Sequence, residues 1–350
     1  MRVIDGIEAY SDFRRNKTGW WSRHQADSPP AASRTRQFVF LPEVQARFGL
    51  RLEDKIFTIG SCFARHIERH LEKYGYRFET LNPKFYVAPD ECTSPQGFYN
   101  RFTTHSMLNE LKWGLGLEEF PEAAYYTDEK GRWQDGQLLA SFATLERARE
   151  VRANLRAVTS TMASSDVLIL TLGLVEAWHD AATGHYMNVA PPQAVVRANP
   201  NRFSVHILDY RANYECLEQI RDIARAANPA LRIFLTVSPV PLGATFSGQD
   251  IAIANSYSKS TLRAVAGDFA TAHDDVQYFP SYEIVTESMP IAAWEEDAVH
   301  VRTEMVANVI GYFMSKFLPK EQAAQVDRET PRRKLEEKVQ QVLAASQSSS

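Results

Sequence analysis

Three residues of this chain have the chemical types needed for acyl transfer. Ser61 follows Gly60 at the close of a short apolar run, and Asp297 and His300 stand three residues apart near the carboxyl end. A serine hydroxyl becomes a nucleophile when an imidazole takes its proton, and a carboxylate on the other ring nitrogen fixes the tautomer and stabilises the imidazolium. An Asp-x-x-His string arises often by chance, and a serine at such a place can equally be a helix cap. The chemistry therefore depends on elements that carry the three residues to one place.

The stretch 55–75 is such an element. Ile56, Phe57 and Ile59 suit a buried strand, Gly60 frees the backbone for a turn, and Ser61 opens a helix with apolar positions at Phe63, Ala64, Ile67 and Leu71. Gly75 ends it. The Ser61 hydroxyl is then expected at the carboxyl edge of a sheet, beside unpaired N–H groups and the positive end of a helix. Cys62 is a rival nucleophile at the same helix start, where a thiol pKa falls, but it lies one residue past the turn and is expected to face the core.

Residues 1–45 hold no long period and read as an irregular arm packed across the domain surface. A second strand is expected within 76–87, followed by a long polar loop over 88–104 that contains Ser94, Pro95, Gln96, Gly97 and Asn100. Helices are expected over 106–117, 144–163, 210–227, 256–272 and 303–317. Buried strands are expected over 166–173, 231–238 and 276–279, with a loop over 280–296. A hairpin over 125–133, turning near Lys130 and Gly131, and a turn at Thr183–Gly184 mark insertions near 118–142 and 177–205. Residues 319–350 read as a charged tail, a solvated helix fraying into disorder. Strands alternating with helices at these spacings predict a mainly parallel sheet covered on both faces, one αβα domain over 46–318.

In such a sheet, ligands bind beyond the carboxyl ends of the strands. The residues there are Ser61, then Gly97 and Asn100, then Gly173 and Glu176, and finally the Asp297–His300 string. Glu176 can orient a partner, bind a substrate hydroxyl or cap the next element. Trp178 and Trp294, flanking the expected site, can stack on a sugar ring or simply pack. His66 and His70 have metal-ligand spacing, but Glu68 and Arg69 between them suggest a solvated helix face, and no metal is expected.

Composition narrows the field. The 350 residues carry 39 Lys and Arg against 43 Asp and Glu, a formal charge of −4, which gives no footprint of a nucleic-acid binder. No run approaches the length of a membrane helix and the amino terminus lacks an apolar leader, so a cytoplasmic protein without membrane insertion is expected. Three widely spaced cysteines suggest neither a disulfide framework nor a zinc site. Dinucleotide and triphosphate motifs are missing, and no organic cofactor is called for.

The run Gly60-Ser61-Cys62-Phe63-Ala64 resembles the motif that names the GSCFA family, which is grouped with the SGNH or GDSL-type hydrolases. Residues 171–178, 238–242 and 297–300 extend the resemblance over roughly residues 45–318 in the same order and spacing. It implies a flavodoxin-like αβα sandwich with about five parallel strands, with Ser61 as nucleophile, His300 as base and Asp297 as the acid that orients it. It also implies an oxyanion hole from the serine N–H, a glycine N–H of the second block and an asparagine of the third. Val175 stands where that asparagine should be, and loss of one such donor can cost ~100-fold in rate. Asn100 beside Gly97 can restore a donor, and Gly173 opens the third block.

The expected function is a serine-dependent acyl-ester hydrolase or O-acyltransferase acting on a small-molecule or carbohydrate acetyl ester. The alternative is a catalytically weak or silent module of the same fold that binds a glycan or a partner in polysaccharide production.

Overall fold

The computed structural model describes residues 3–23, 28–92 and 97–348, with side chains to 344 in the last segment. Ser94, Pro95 and Gln96 of the expected polar loop lie outside the described residues. The chain divides into a sheet-bearing unit, Arg47–Phe279 with Phe317–Pro319, and a helical unit formed by Met1–Ala46, Pro280–Lys316 and Lys320–Ser350.

The strands, in chain order, are β1 (Ile56–Gly60), β2 (Tyr125–Thr127), β3 (Trp133–Asp135), β4 (Val167–Leu172), β5 (Glu176–Asp180), β6 (His185–Met187), β7 (Phe203–Ile207), β8 (Arg232–Val237) and β9 (Val276–Tyr278). β1, β4, β8 and β9 pair in that order, all parallel, as the central sheet of the sheet-bearing unit. β1 and β4 are buried at every position, as apolar strands covered on both faces must be. The helix Cys62–Glu72 packs on β1 and β4, and the helix Ile251–Ala272 packs on β8 and β9. The arrangement is α/β and consistent with a three-layer sandwich.

The central sheet has four strands where about five were expected, because 76–87 forms no strand. Asn82 caps a short 3-10 turn that begins with Pro83, and a second such turn covers Glu79–Leu81. Proline has no N–H for a ladder, and the Thr80 hydroxyl is committed to Glu68 at 2.6 Å. Glu68 also corrects the solvated face expected around His66. It is fully buried, paired with Arg65 at 2.7 Å, and accepts from Thr58. Burial also pulls His66 down to about 4, with Arg69 and His70 adding to the shift.

The insertions are small antiparallel sheets. β2 and β3 form the expected hairpin, with Gly131 at φ 72° in its turn. β5 pairs with both β6 and β7, and Gly184 at φ 71° closes the β5–β6 turn. A buried ion network ties this region together: Glu110 meets Arg101 at 2.5 Å and Arg152 at 2.8 Å, and Arg152 meets Asp135 at 2.5 Å. Burial raises the Glu110 carboxyl, but the two guanidinium groups outweigh it and hold it at about 2.

In the helical unit the arm is not irregular throughout, since Asp5 caps a helix at Gly6–Arg15 and Ala31–Arg34 adds a short turn. Residues 37–42 are stitched down by Phe40 N–H on Ser288 Oγ at 2.8 Å, Met289 N–H on the Gln37 carbonyl at 3.2 Å, and Tyr312 on Pro42. The loop expected over 280–296 holds short helices at Ser281–Thr286 and Pro290–Ala293. The tail is also more than a solvated helix. Glu329–Ser348 fully buries Leu335 and Val339, an i,i+4 pair that makes one face apolar despite the charges around it. Among the described residues no helix is long and apolar enough to cross a membrane.

Candidate active site

Gly60 is the hinge of the β1–helix turn. Its φ is 154°, and a Cβ there would lie 2.6 Å from both the Cβ and the carbonyl oxygen of Thr171 on β4. Only glycine lets the two strands approach so closely. Ser61 then takes the N-cap position of Cys62–Glu72, with its Oγ 3.4 Å from the Phe63 N–H, and is 4 % exposed. Its own N–H reaches the Thr171 carbonyl at 3.4 Å. The geometry that satisfies the helix start also places the Ser61 hydroxyl at the end of the strand.

The loop over 97–101 is fastened to this turn. Arg101 N–H donates to the Gly60 carbonyl at 2.8 Å. The Asn100 carbonyl accepts from Arg101 at 2.7 Å and from Asn188 at 2.8 Å, while its side-chain oxygen is buried without a hydrogen-bond partner among the described residues. Gly97 opens a 3-10 turn whose carbonyl accepts from Asn100 N–H at 3.0 Å. Asn100 therefore has a fixed backbone and an uncommitted amide oxygen close in sequence to the residue that touches Gly60.

The loop that follows β4 is committed within the fold. Gly173 N–H donates to the Phe102 carbonyl at 3.2 Å, and a Cβ on Gly173 would meet that oxygen at 2.6 Å. Its N–H is thus already spent in the resting structure. Val175, buried, donates its N–H to Ser258 Oγ at 3.2 Å. Thr171 Oγ1 and Ser238 Oγ, at the ends of β4 and β8, are buried hydroxyl oxygens without partners among the described residues.

Sequence reasoning missed Lys259. It is 2 % exposed in the helix Ile251–Ala272, and its Nζ donates to the Gly173 carbonyl at 2.6 Å. Burial pulls its ammonium down to about 7, and Cys62 opposes the shift. Burial in turn pushes the Cys62 thiol up, against the N–H groups of Phe63 and Cys62 and the charge of Lys259. Asn255, Ser258 and Lys259 come from one helix face: Asn255 accepts from Leu242 N–H at 3.1 Å, beside the Ser258 and Lys259 contacts. The available signal was polar residues at i, i+3 and i+4 on the stripe that continues to buried Leu262.

Glu176, the first residue of β5, accepts from Thr245 Oγ1 at 2.5 Å and from Phe246 N–H at 2.8 Å, so its carboxylate holds the loop after β8. Trp178 is half-buried and meets Phe246 edge to face with centroids 5.0 Å apart. Exposed Phe246 leaves an aromatic surface there.

Asp297 and His300 belong to the helical unit, and their geometry is that of their own unit. An antiparallel bridge between Trp294 and Val301 and a 2.8 Å bond from Glu295 N–H to the His300 carbonyl close a tight loop. Ala298 sits at its apex with φ 54°, a conformation that costs a non-glycine residue energy. One Asp297 oxygen accepts the N–H groups of Val299 and His300 at 2.9 and 3.0 Å, and the other lies 2.5 Å from His300 Nδ1. These bonds, the imidazole first, hold the Asp297 carboxyl well below the usual range. The His300 side chain is 73 % exposed, and with Nδ1 on the carboxylate its Nε2 has no partner among the described residues. That is the tautomer a general base needs. The structure thus joins Asp297 to His300 and Ser61 to Thr171, with Arg101, next to Asn100, bonded to Gly60. Trp178 and Trp294 fall in different units.

Among the described residues no group of three His, Cys, Asp or Glu is placed to hold a metal ion. The model of the GSCFA family matches residues 55–313. No curated protein and no solved structure gives a significant match.

Proposed function

This chain belongs to the GSCFA family, and we propose that it is a serine-dependent acyl-ester hydrolase or O-acyltransferase of the SGNH type, working in the cytoplasm on acetyl esters of a carbohydrate. The observation that carries the proposal is the Asp297–His300 pair at 2.5 Å, which leaves Nε2 as the basic nitrogen. It is complemented by a serine at a strand-to-helix turn that only glycine can make.

In the proposed reaction His300 Nε2 takes the hydroxyl proton as Ser61 Oγ bonds to the acyl carbon. The imidazolium then returns the proton to the departing alkoxide, leaving an acyl-serine. In the second half His300 deprotonates water or an acceptor hydroxyl, which bonds to the acyl carbon and releases Ser61 with its proton restored. The Gly97 N–H and the Asn100 side-chain NH2 are the proposed donors to the oxyanion. The Ser61 and Gly173 N–H groups can join them only by releasing the Thr171 and Phe102 carbonyls. Trp178 and Trp294 are the proposed sugar-stacking residues, whereas Glu176 acts through the Thr245–Phe246 loop it holds.

The purified protein should hydrolyse p-nitrophenyl acetate and label with a fluorophosphonate probe, and Ser61→Ala and His300→Ala should each abolish both. Turnover and labelling no greater than those of the variants would overturn the proposal. A second reading, a weak or silent glycan-binding module, is favoured by Val175 in place of the expected asparagine and by the committed Gly173 N–H. It requires glycan binding that Ser61→Ala leaves intact.

A further inference from the structure

The helical unit contains a cleft of about 680 Å³ that the proposed chemistry does not use. Its walls come from the arm around Arg34, from the middle of the helix Thr303–Phe317, and from the start of the helix Glu329–Ser348. Neither Asp297 nor His300 lines it.

Three guanidinium groups line this cleft, from Arg34, Arg328 and Arg332. Arg332 is matched by Glu336 one turn along at 3.2 Å. Arg34 and Arg328 have no carboxylate partner among the described residues, and Arg34 Nε is buried without any acceptor. Both are steered by aromatic faces instead, Arg34 lying 5.3 Å from the Phe40 ring and Arg328 5.6 Å from the Tyr312 ring. Of the two acids in the lining, Asp327 caps the helix through one oxygen, accepting the N–H groups of Glu329 and Thr330 at 3.1 and 2.9 Å, and contacts neither Arg34 nor Arg328 as an ion pair. Glu329 is the remaining one, and it is exposed.

A buried guanidinium N–H with no acceptor costs free energy that an oxyanion recovers, and the guanidinium fork fits an oxyanion with two parallel bonds. Two guanidinium groups without a carboxylate in contact can both donate to one oxyanion, and a phosphate has oxygens enough to accept from both. Val39, Leu41 and Val326 supply apolar wall for a neutral body. We propose that this cleft binds a small phosphorylated molecule, with its phosphate held between Arg34 and Arg328.

The test uses the full chain and inorganic pyrophosphate as probe, at ionic strength held constant with chloride, by calorimetric titration and thermal melting. Saturable binding with a raised melting temperature is expected. Arg34→Gln and Arg328→Gln should each weaken it at least tenfold, and Arg332→Gln should change it less than threefold because that side chain is already paired. A citrate titration separates phosphate from carboxylate recognition. Melting in chloride alone checks that each variant folds. If Arg34→Gln does not fold, exposed Arg328 carries the test by itself. No saturable pyrophosphate binding, binding that survives Arg328→Gln, or citrate binding as tightly as pyrophosphate would each overturn the proposal.

Discussion

Lys259 Nζ donates to the Gly173 carbonyl across 2.6 Å, so a nearly inaccessible lysine supports the loop that follows the central strand β4. A lysine whose folded pKa lies below its unfolded value disfavours the native state at low pH, and this penalty is lifted as pH rises from about 7 to about 10.5. The Cys62 thiol, pushed up by burial, titrates with the opposite sign, so the comparison belongs in a Cys62→Ala background. There, urea unfolding should show stability rising across that window with Lys259 present and a flatter profile in Lys259→Met. Parallel profiles would mean that Lys259 is not desolvated in the native state.

Asp297 orients His300 from an exposed loop, so its removal should affect catalysis and spare the fold. In Asp297→Asn the amide can no longer stabilise an imidazolium or hold the Nδ1–H tautomer. The expected result with p-nitrophenyl acetate is a fall in kcat/KM of roughly 100- to 10,000-fold, with the melting temperature unchanged. A fall of less than threefold would leave Asp297 as a mere loop brace.

Glu110 is buried between Arg101 and Arg152, with Arg101 also contacting the Asn100 carbonyl. Glu110→Gln leaves two buried guanidinium groups short of charge and should cost roughly 3–5 kcal/mol. Since the folded pKa is depressed to about 2, the wild-type advantage is fully present above about 4.5 and is lost as pH falls toward 2. Chemical denaturation of the two proteins should therefore converge over that acid range and differ most at neutral pH.

At Gly60 even one methyl group has no room. Gly60→Ala would drive a Cβ into Thr171 from a φ of 154° and should destabilise by about 2–5 kcal/mol from strain and overpacking together. Thermal melting measures the loss directly, and a melting point within a degree of wild type would show that the β1 and β4 ends separate easily.

Much of the sheet-bearing unit was legible because apolar periods mark elements that must be buried. The helices over 210–227 and 303–317 and the core of β4 fall where periodicity puts them. The stretch 76–87 misled because Tyr76, Phe78, Thr80 and Val87 are buried like strand residues, yet their backbone turns at Pro83. The tail misled in the opposite sense, its charges masking the Leu335–Val339 stripe.

The sequence by itself determined the Gly60-Ser61 turn and the Asp297–His300 pair, since a strand stop, a helix cap and an i,i+3 contact are local and depend on neighbouring residues alone. Tertiary structure decided the state of the loops after β1 and β4: which N–H groups are spent, that Gly173 is held by Phe102 and Lys259, and that the Asn100 amide oxygen has no partner among the described residues. Those contacts join residues far apart in the chain, and whether a polar group is satisfied depends on packing that no local period records.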